Sequence, residues 1–128
     1  MKAKILTLGF TVLLSTFTAI SALAASTESS IVLGAYGIDF TGAVQGQHKY
    51  GRITLQSDGK ASAFLYKNCD GTWKQTTVND PEGMSGHLFL DKNGGSTTDN
   101  YYMNGACQYK LEVLAGDKGA KGYIRSYD

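Results

Sequence analysis

The stretch YGRITLQSDGKASAFLYK, Tyr50 to Lys67, decides the fold class. In its first half Ile53 and Leu55 share one face of an extended chain, while Arg52, Thr54 and Gln56 share the other. Side chains alternate between the two faces of a strand, so this pattern is a strand signature. Ser57-Asp58-Gly59-Lys60 follows, and Asp-Gly between two alternating segments is a strong hairpin signal. In the second half Phe64 and Tyr66 alternate with Ala63, Leu65 and Lys67. The stretch therefore predicts an antiparallel hairpin over Tyr50–Lys67.

The same signature recurs on both sides. In CQYKLEV, Cys107, Tyr109, Leu111 and Val113 point one way, which puts Cys107 on an inner face. NCDGTW holds a second Asp-Gly turn, Asp70-Gly71, before a strand of Thr72 to Val78. NDPEG carries a turn at Pro81. MSGHLFLD places Met84, Leu88 and Leu90 on one face, and YYMNGA is a short aromatic strand. YIRSY supplies a last strand after the glycine-rich turn AGDKGAKG. Near the start, IVLGAYGIDFTG reads as a strand interrupted by Gly34 and Gly37, which mark bulges or corners. The sum is about eight short strands and no convincing helical period. The fold class is all-β: a small antiparallel up-and-down barrel or a flattened sandwich. Short connections make sequence neighbours the expected pairing partners. The DGTW turn and the meander resemble lipocalin-like barrels; the resemblance carries no residue roles, and fold analogy does not set function.

The first residues read as a secretory leader. Lys2 and Lys4 precede an apolar stretch from Ile5, and Ala22-Leu23-Ala24 is a small-x-small cleavage site. The expectation is a signal peptide over 1–24 and a single domain over 25–128, with no lipid or membrane anchor after cleavage. The leader removes two lysines and leaves 10 basic against 11 acidic residues. These charges are scattered, so nothing resembles the basic patch of a nucleic-acid binder. Localisation is expected to be periplasmic or secreted.

Cys69 and Cys107 are the only cysteines. Two cysteines in an exported chain most simply form one disulfide. A metal site would want further Cys or His at ligand spacing, and a nucleophile would want a free thiol. Trp73, two residues after the Gly71 turn, is expected to be mainly buried against that bridge.

Chemistry-bearing motifs are few. His48 and His87 stand alone, no serine sits in a G-x-S-x-G setting, and no nucleophile–base–acid set is visible. Asp91, Asn93 and Asp99 suggest a calcium loop, but the EF-hand positions for glycine and carboxylate hold Ser96 and Tyr102. No catalytic residue, metal or cofactor is predicted. The better clue is eight tyrosines beside polar loops, the composition of recognition surfaces. Asp99, Asn100, Tyr101, Tyr102 and Asn104 are the expected protein-contact surface. The leading expectation is a non-enzymatic, periplasmic inhibitor or immunity-type protein that blocks an envelope-targeting enzyme, such as a cell-wall hydrolase or toxin. Two alternatives are a lipocalin-like carrier of a small apolar ligand and a hydrolase with a dispersed site. Ala61, Ala63, Gly86 and Gly105 would leave room for the carrier's cavity.

Overall fold

The computed structural model describes residues 26–76 and 86–128. The leader, the Pro81 turn, Met84 and the end of the Thr72–Val78 strand lie outside the described residues. Ten strands are present, and no helix occurs among the described residues. They are β1 (Glu28–Leu33), β2 (Ile38–Phe40), β3 (Val44–Gln45), β4 (Lys49–Ser57), β5 (Ala61–Asn68), β6 (Trp73–Gln75), β7 (His87–Leu90), β8 (Gly95–Met103), β9 (Gln108–Ala115) and β10 (Ala120–Arg125).

The strands form two antiparallel sheets. One has four strands in the order β1-β10-β4-β8. The other has six: β2-β9-β5-β6, with β3 beside β9 and β7 beside β5. This is the flattened sandwich of the two expected architectures, and the sheets do not close into a barrel. From β4 onward the chain passes repeatedly from one sheet to the other, the connectivity of a jelly-roll-like sandwich.

One expectation is corrected here. Both halves of Tyr50–Lys67 are strands, but they do not pair with each other. β4 lies between β10 and β8, whereas β5 lies against β9. The turn conformation shows the crossover, and burial of the two strands across the core is its physical reason. A two-residue type I′ hairpin needs positive φ at both central residues. Gly59 is not among the glycines with positive φ, so Asp58-Gly59 carries the chain across the sandwich instead. Ser57 holds that corner: its hydroxyl accepts from Gly59 N–H (3.1 Å) and donates to the Gly119 carbonyl (2.6 Å). Strand crossing lets Ile53 and Leu55 face Ala61, Ala63 and Leu65 through the core. By contrast Gly71 has φ 95°, and the hairpin it closes, β5–β6, is a true pair. The Gly34–Gly37 segment is a corner as expected. It takes the chain from β1 in one sheet to β2 in the other, with Tyr36 at φ 59°.

The inward faces of both sheets meet in one core. Ile53, Leu55, Leu65, Tyr101, Met103, Tyr109, Leu111, Val113 and Ile124 are buried there. The positions that might have left a ligand chamber are filled or narrow. A side chain at Gly86 would run into Thr76 and Leu65, and Gly105 lies under the His48 ring.

Cys69 and Cys107 form a disulfide across the last rung of the β5–β9 ladder, next to the pair Asn68↔Gln108. Cys107 faces the core, as its alternation requires. Trp73 does not bury against the bridge. It pairs with Asn68 on the opposite face of the sheet and is only half-buried. Strand parity decides this, because Asn68 and Cys69 are adjacent and must point to opposite faces.

Candidate functional site

The outer face of the six-stranded sheet carries the most unusual surface of the molecule. β5 is apolar on both faces. Ala61, Ala63 and Leu65 point into the core, which leaves the larger Phe64 and Tyr66 pointing outward. An outward face on a sandwich is ordinarily polar. Here the register assembles outward residues into rows. Ile38, Leu114, Ser62 and Phe89 form one row across β2, β9, β5 and β7. Phe40, Glu112, Phe64 and His87 form the next. Lys110, Tyr66 and Gln75 follow, and then Gln108, Asn68 and Trp73.

These side chains touch one another. Phe40 meets Tyr66 edge to face at 5.1 Å, and Phe64 meets His87 at 4.9 Å and Phe89 at 5.8 Å. The Lys110 ammonium sits between the Phe40 and Trp73 rings, 4.3 and 4.4 Å from their centroids. A cation over an aromatic face is attracted by the ring quadrupole, so the rings hold the charge in place on the surface. Glu112 follows two residues on along the same face. The Tyr66 hydroxyl reaches Gln75 Oε1 (3.2 Å) and Glu112 Oε1 (3.4 Å). Partial burial, and then the Glu112 carboxylate, push the Tyr66 phenol above its ordinary pKa of 10.0. Phe89 and Ile38 keep 62% and 63% of their surface exposed. Among the described residues the rows lie across the face of a β-sheet, and they present a flat array of aromatic anchors, one fixed cation and one carboxylate.

His87 belongs to this face. Its Nε2 lies 3.1 Å from the Thr76 carbonyl oxygen and 3.4 Å from Gln75 Nε2, so the ring is held as part of the surface. His48 lies elsewhere, and its Nδ1 accepts from Gly105 N–H (3.2 Å). The two histidines are not brought together. Asp91 closes its own loop by accepting from Asn93 N–H (2.9 Å). Among the described residues no group of three or more His, Cys, Asp or Glu could hold a metal ion.

The expected contact residues on β8 are split by strand alternation. Tyr101 is fully buried in the core, and Asp99 lies on the same inward-facing side of the strand. Tyr101 is thus a packing residue and not a surface contact, because its partner in register, Gly51, faces the core. Asn100 and Tyr102 are on the outer face of the four-stranded sheet. Asn100 Oδ1 accepts from Arg52 Nε (3.3 Å), and Tyr102 packs on Tyr50 at 5.6 Å. Asn104 shapes the turn toward β9: its N–H donates to the Tyr109 hydroxyl and its Oδ1 accepts from Ala106 N–H. The aromatic rows on the other sheet were not singled out from the sequence as a site. The available signal was ASAFLYK itself, in which the smaller residues alternate with the larger and leave aromatics for the outer face.

No family model matches the chain. No curated protein matches it either. Solved structures with a similar course of chain include PirA, at 9% identity and a TM-score of 0.46, covering 80% of this chain and 94% of that one. The Yersinia pseudotuberculosis-derived mitogen has 9% identity and a TM-score of 0.42, with 76% and 80% covered. Murine APRIL has 6% identity and a TM-score of 0.38, with 77% and 98% covered. No functional assignment follows from likeness at this level.

Proposed function

We propose that the protein is an exported, non-enzymatic binding protein that docks a folded protein partner on the outer face of its six-stranded sheet. Its role is that of a periplasmic inhibitor or immunity-type protein against an envelope-targeting enzyme, a cell-wall hydrolase or toxin. One observation supports the reading. Phe40, Phe64, Tyr66, Trp73 and Phe89 form a flat aromatic surface around a fixed Lys110 and Glu112. Contiguous exposed apolar surface rimmed by polar groups marks interaction sites. Flatness favours a macromolecule over a small ligand, which needs a concave site to bury most of its surface. Aromatic anchors are enriched among the residues that carry binding energy at protein interfaces. A disulfide fits an oxidising compartment, which agrees with export.

The test adds purified oxidised protein to peptidoglycan hydrolases of the same envelope and measures both complex formation and residual activity. Wild type is expected to form a stoichiometric complex and lower activity. Phe64→Ser and Phe89→Ser are expected to lose both effects, and Tyr123→Ser, on the other sheet, to keep them. Undiminished binding by both serine variants would refute this surface as the interface.

A further inference from the structure

The outer face of the four-stranded sheet holds a second feature, independent of the aromatic rows. In register across β1, β10, β4 and β8 stand Glu28, Arg125, Arg52 and Asn100. Two arginines thus lie directly opposite each other, an arrangement that disfavours a sheet by itself. Arg52 is satisfied: Nη2 lies 2.5 Å from Asp128 Oδ1 and Nε donates to Asn100. Arg125 is satisfied only on one side. Its Nε donates to the Tyr127 carbonyl (3.1 Å) and its guanidinium lies over the Tyr127 ring. Glu28, its neighbour in register, is engaged by the Tyr127 hydroxyl. Among the described residues no carboxylate lies within ion-pair distance of Arg125.

Glu28, Arg52, Arg125 and Tyr127 edge a cleft of about 470 Å³, within the size range of small-ligand sites. Ser30, Tyr123 and Thr54 of the next row line it as well, with Thr98 standing beside Thr54 in register. Tyr123 is 42% exposed, and the Thr54 and Thr98 hydroxyls are 3.1 Å apart. The cleft therefore offers a ring to stack on, hydroxyls that donate and accept, and one planar fork with free donors. A guanidinium fork matches a carboxylate bidentately. Glu28 and Asp128 close by would repel a ligand bearing many negative charges. They fit one that carries a single carboxylate among hydroxyls.

We propose that this cleft binds an acidic saccharide, its carboxylate on Arg125, one sugar face on Tyr123 and its hydroxyls on Ser30 and Thr54. The probes are galacturonic acid trimer, the methyl ester of the same trimer, and N-acetylmuramic acid. Binding to the purified oxidised protein is followed by titration calorimetry and by NMR shifts of backbone amides and Arg Nε–H groups. At least one acid probe is expected to bind with a Kd of about 1 mM or tighter, shifting Tyr123 and Arg125. For the trimer, the ester is expected to bind at least ~10-fold more weakly, the loss that follows from removing a charge-assisted hydrogen bond. Arg125→Gln should lose acid binding by a similar factor. Arg125→Lys, which keeps the charge without the fork, should fall between. Phe89→Ser should bind the acid as wild type does, so failure of the protein-docking surface leaves this site untouched. Equal binding of acid and ester, shifts confined to the other sheet, or no shift with either acid at about 10 mM would overturn the proposal. Unfolding midpoints of the variants separate lost binding from lost fold.

Discussion

Removing the Cys69–Cys107 bond should make folding depend on the compartment. The bond joins residues 38 apart in sequence. On the chain-entropy model, closing a loop of that size removes about 13 cal/mol/K from the denatured ensemble, or about 4 kcal/mol at 25 °C. Single domains have only about 5–15 kcal/mol in total, so the loss is about a quarter or more of the stability. The native state should survive at low temperature, because the eight β5–β9 pairs from Ala61↔Ala115 to Asn68↔Gln108 remain. The variant is Cys69→Ser with Cys107→Ala, a choice set by position: Cys69 is exposed and Cys107 faces the core. Urea unfolding should show the midpoint falling with the slope nearly unchanged, and the melting temperature should drop by roughly 15–30 °C. The oxidised wild type serves as reference and its reduced form as a second measurement. A loss below about 1 kcal/mol would refute the reasoning, since it would mean the bond closes no loop that the denatured chain samples. With the full loss, a chain kept in a reducing compartment would be about 4 kcal/mol less stable than the oxidised protein.

Phe89→Ser should weaken binding to a captured partner by about 100-fold, because a docked partner would cover the ring's exposed surface, of order 100 Å² at about 25 cal/mol per Å²; surface plasmon resonance checks this, and stability should change by less than about 2 kcal/mol. Gly51→Ala should cost about 3 kcal/mol or more in urea unfolding, because the added methyl would overlap the Arg125 carbonyl and crowd Met103 Sδ at 2.6 Å. Tyr66 has its pKa raised by burial and by Glu112, so the folded state holds that proton more tightly than the unfolded chain. Stability from it is fully present below pH 10 and is lost as pH climbs through the raised value; Tyr66→Phe should flatten that part of the pH–stability curve. Asp70 is held below the ordinary carboxylate range by the Thr72 N–H and then by Lys74. Carbon-detected NMR should find it titrating below the ordinary carboxylate range, and Lys74→Ala should raise it.

The location of the candidate site followed from parity, and parity was partly legible. The alternation in CQYKLEV correctly sent Cys107, Tyr109, Leu111 and Val113 inward. The same rule applied to Tyr101-Tyr102 correctly required opposite faces, but it could not say which residue faced inward. Gly51 opposite Tyr101 made that choice. Trp73 was expected inside by association with the disulfide, yet its rung pairs it with Asn68, one residue from Cys69 and so on the other face.

Local chemistry by itself determined most of the strands, the Gly71 turn, the corner at Gly34–Gly37 and the cysteine pair, although the polar KNGGSTTDN stretch reads as a loop and β8 begins inside it at Gly95. Each depends on neighbours within a few residues, or on there being only two cysteines to join. Tertiary structure alone decided which strands pair. The Asp58-Gly59 segment satisfies a hairpin rule and a crossover equally well as a string of letters. What separates them is whether Ile53 and Leu55 bury better beside Ala61, Ala63 and Leu65 or across from them, and that is a property of the closed core. The same decision put Phe40 of β2 onto one surface with Phe64, Tyr66, Trp73 and Phe89 of β5, β6 and β7, joined through Lys110 and Glu112 of β9. No window of sequence contains that surface, because sheet register between distant strands creates it.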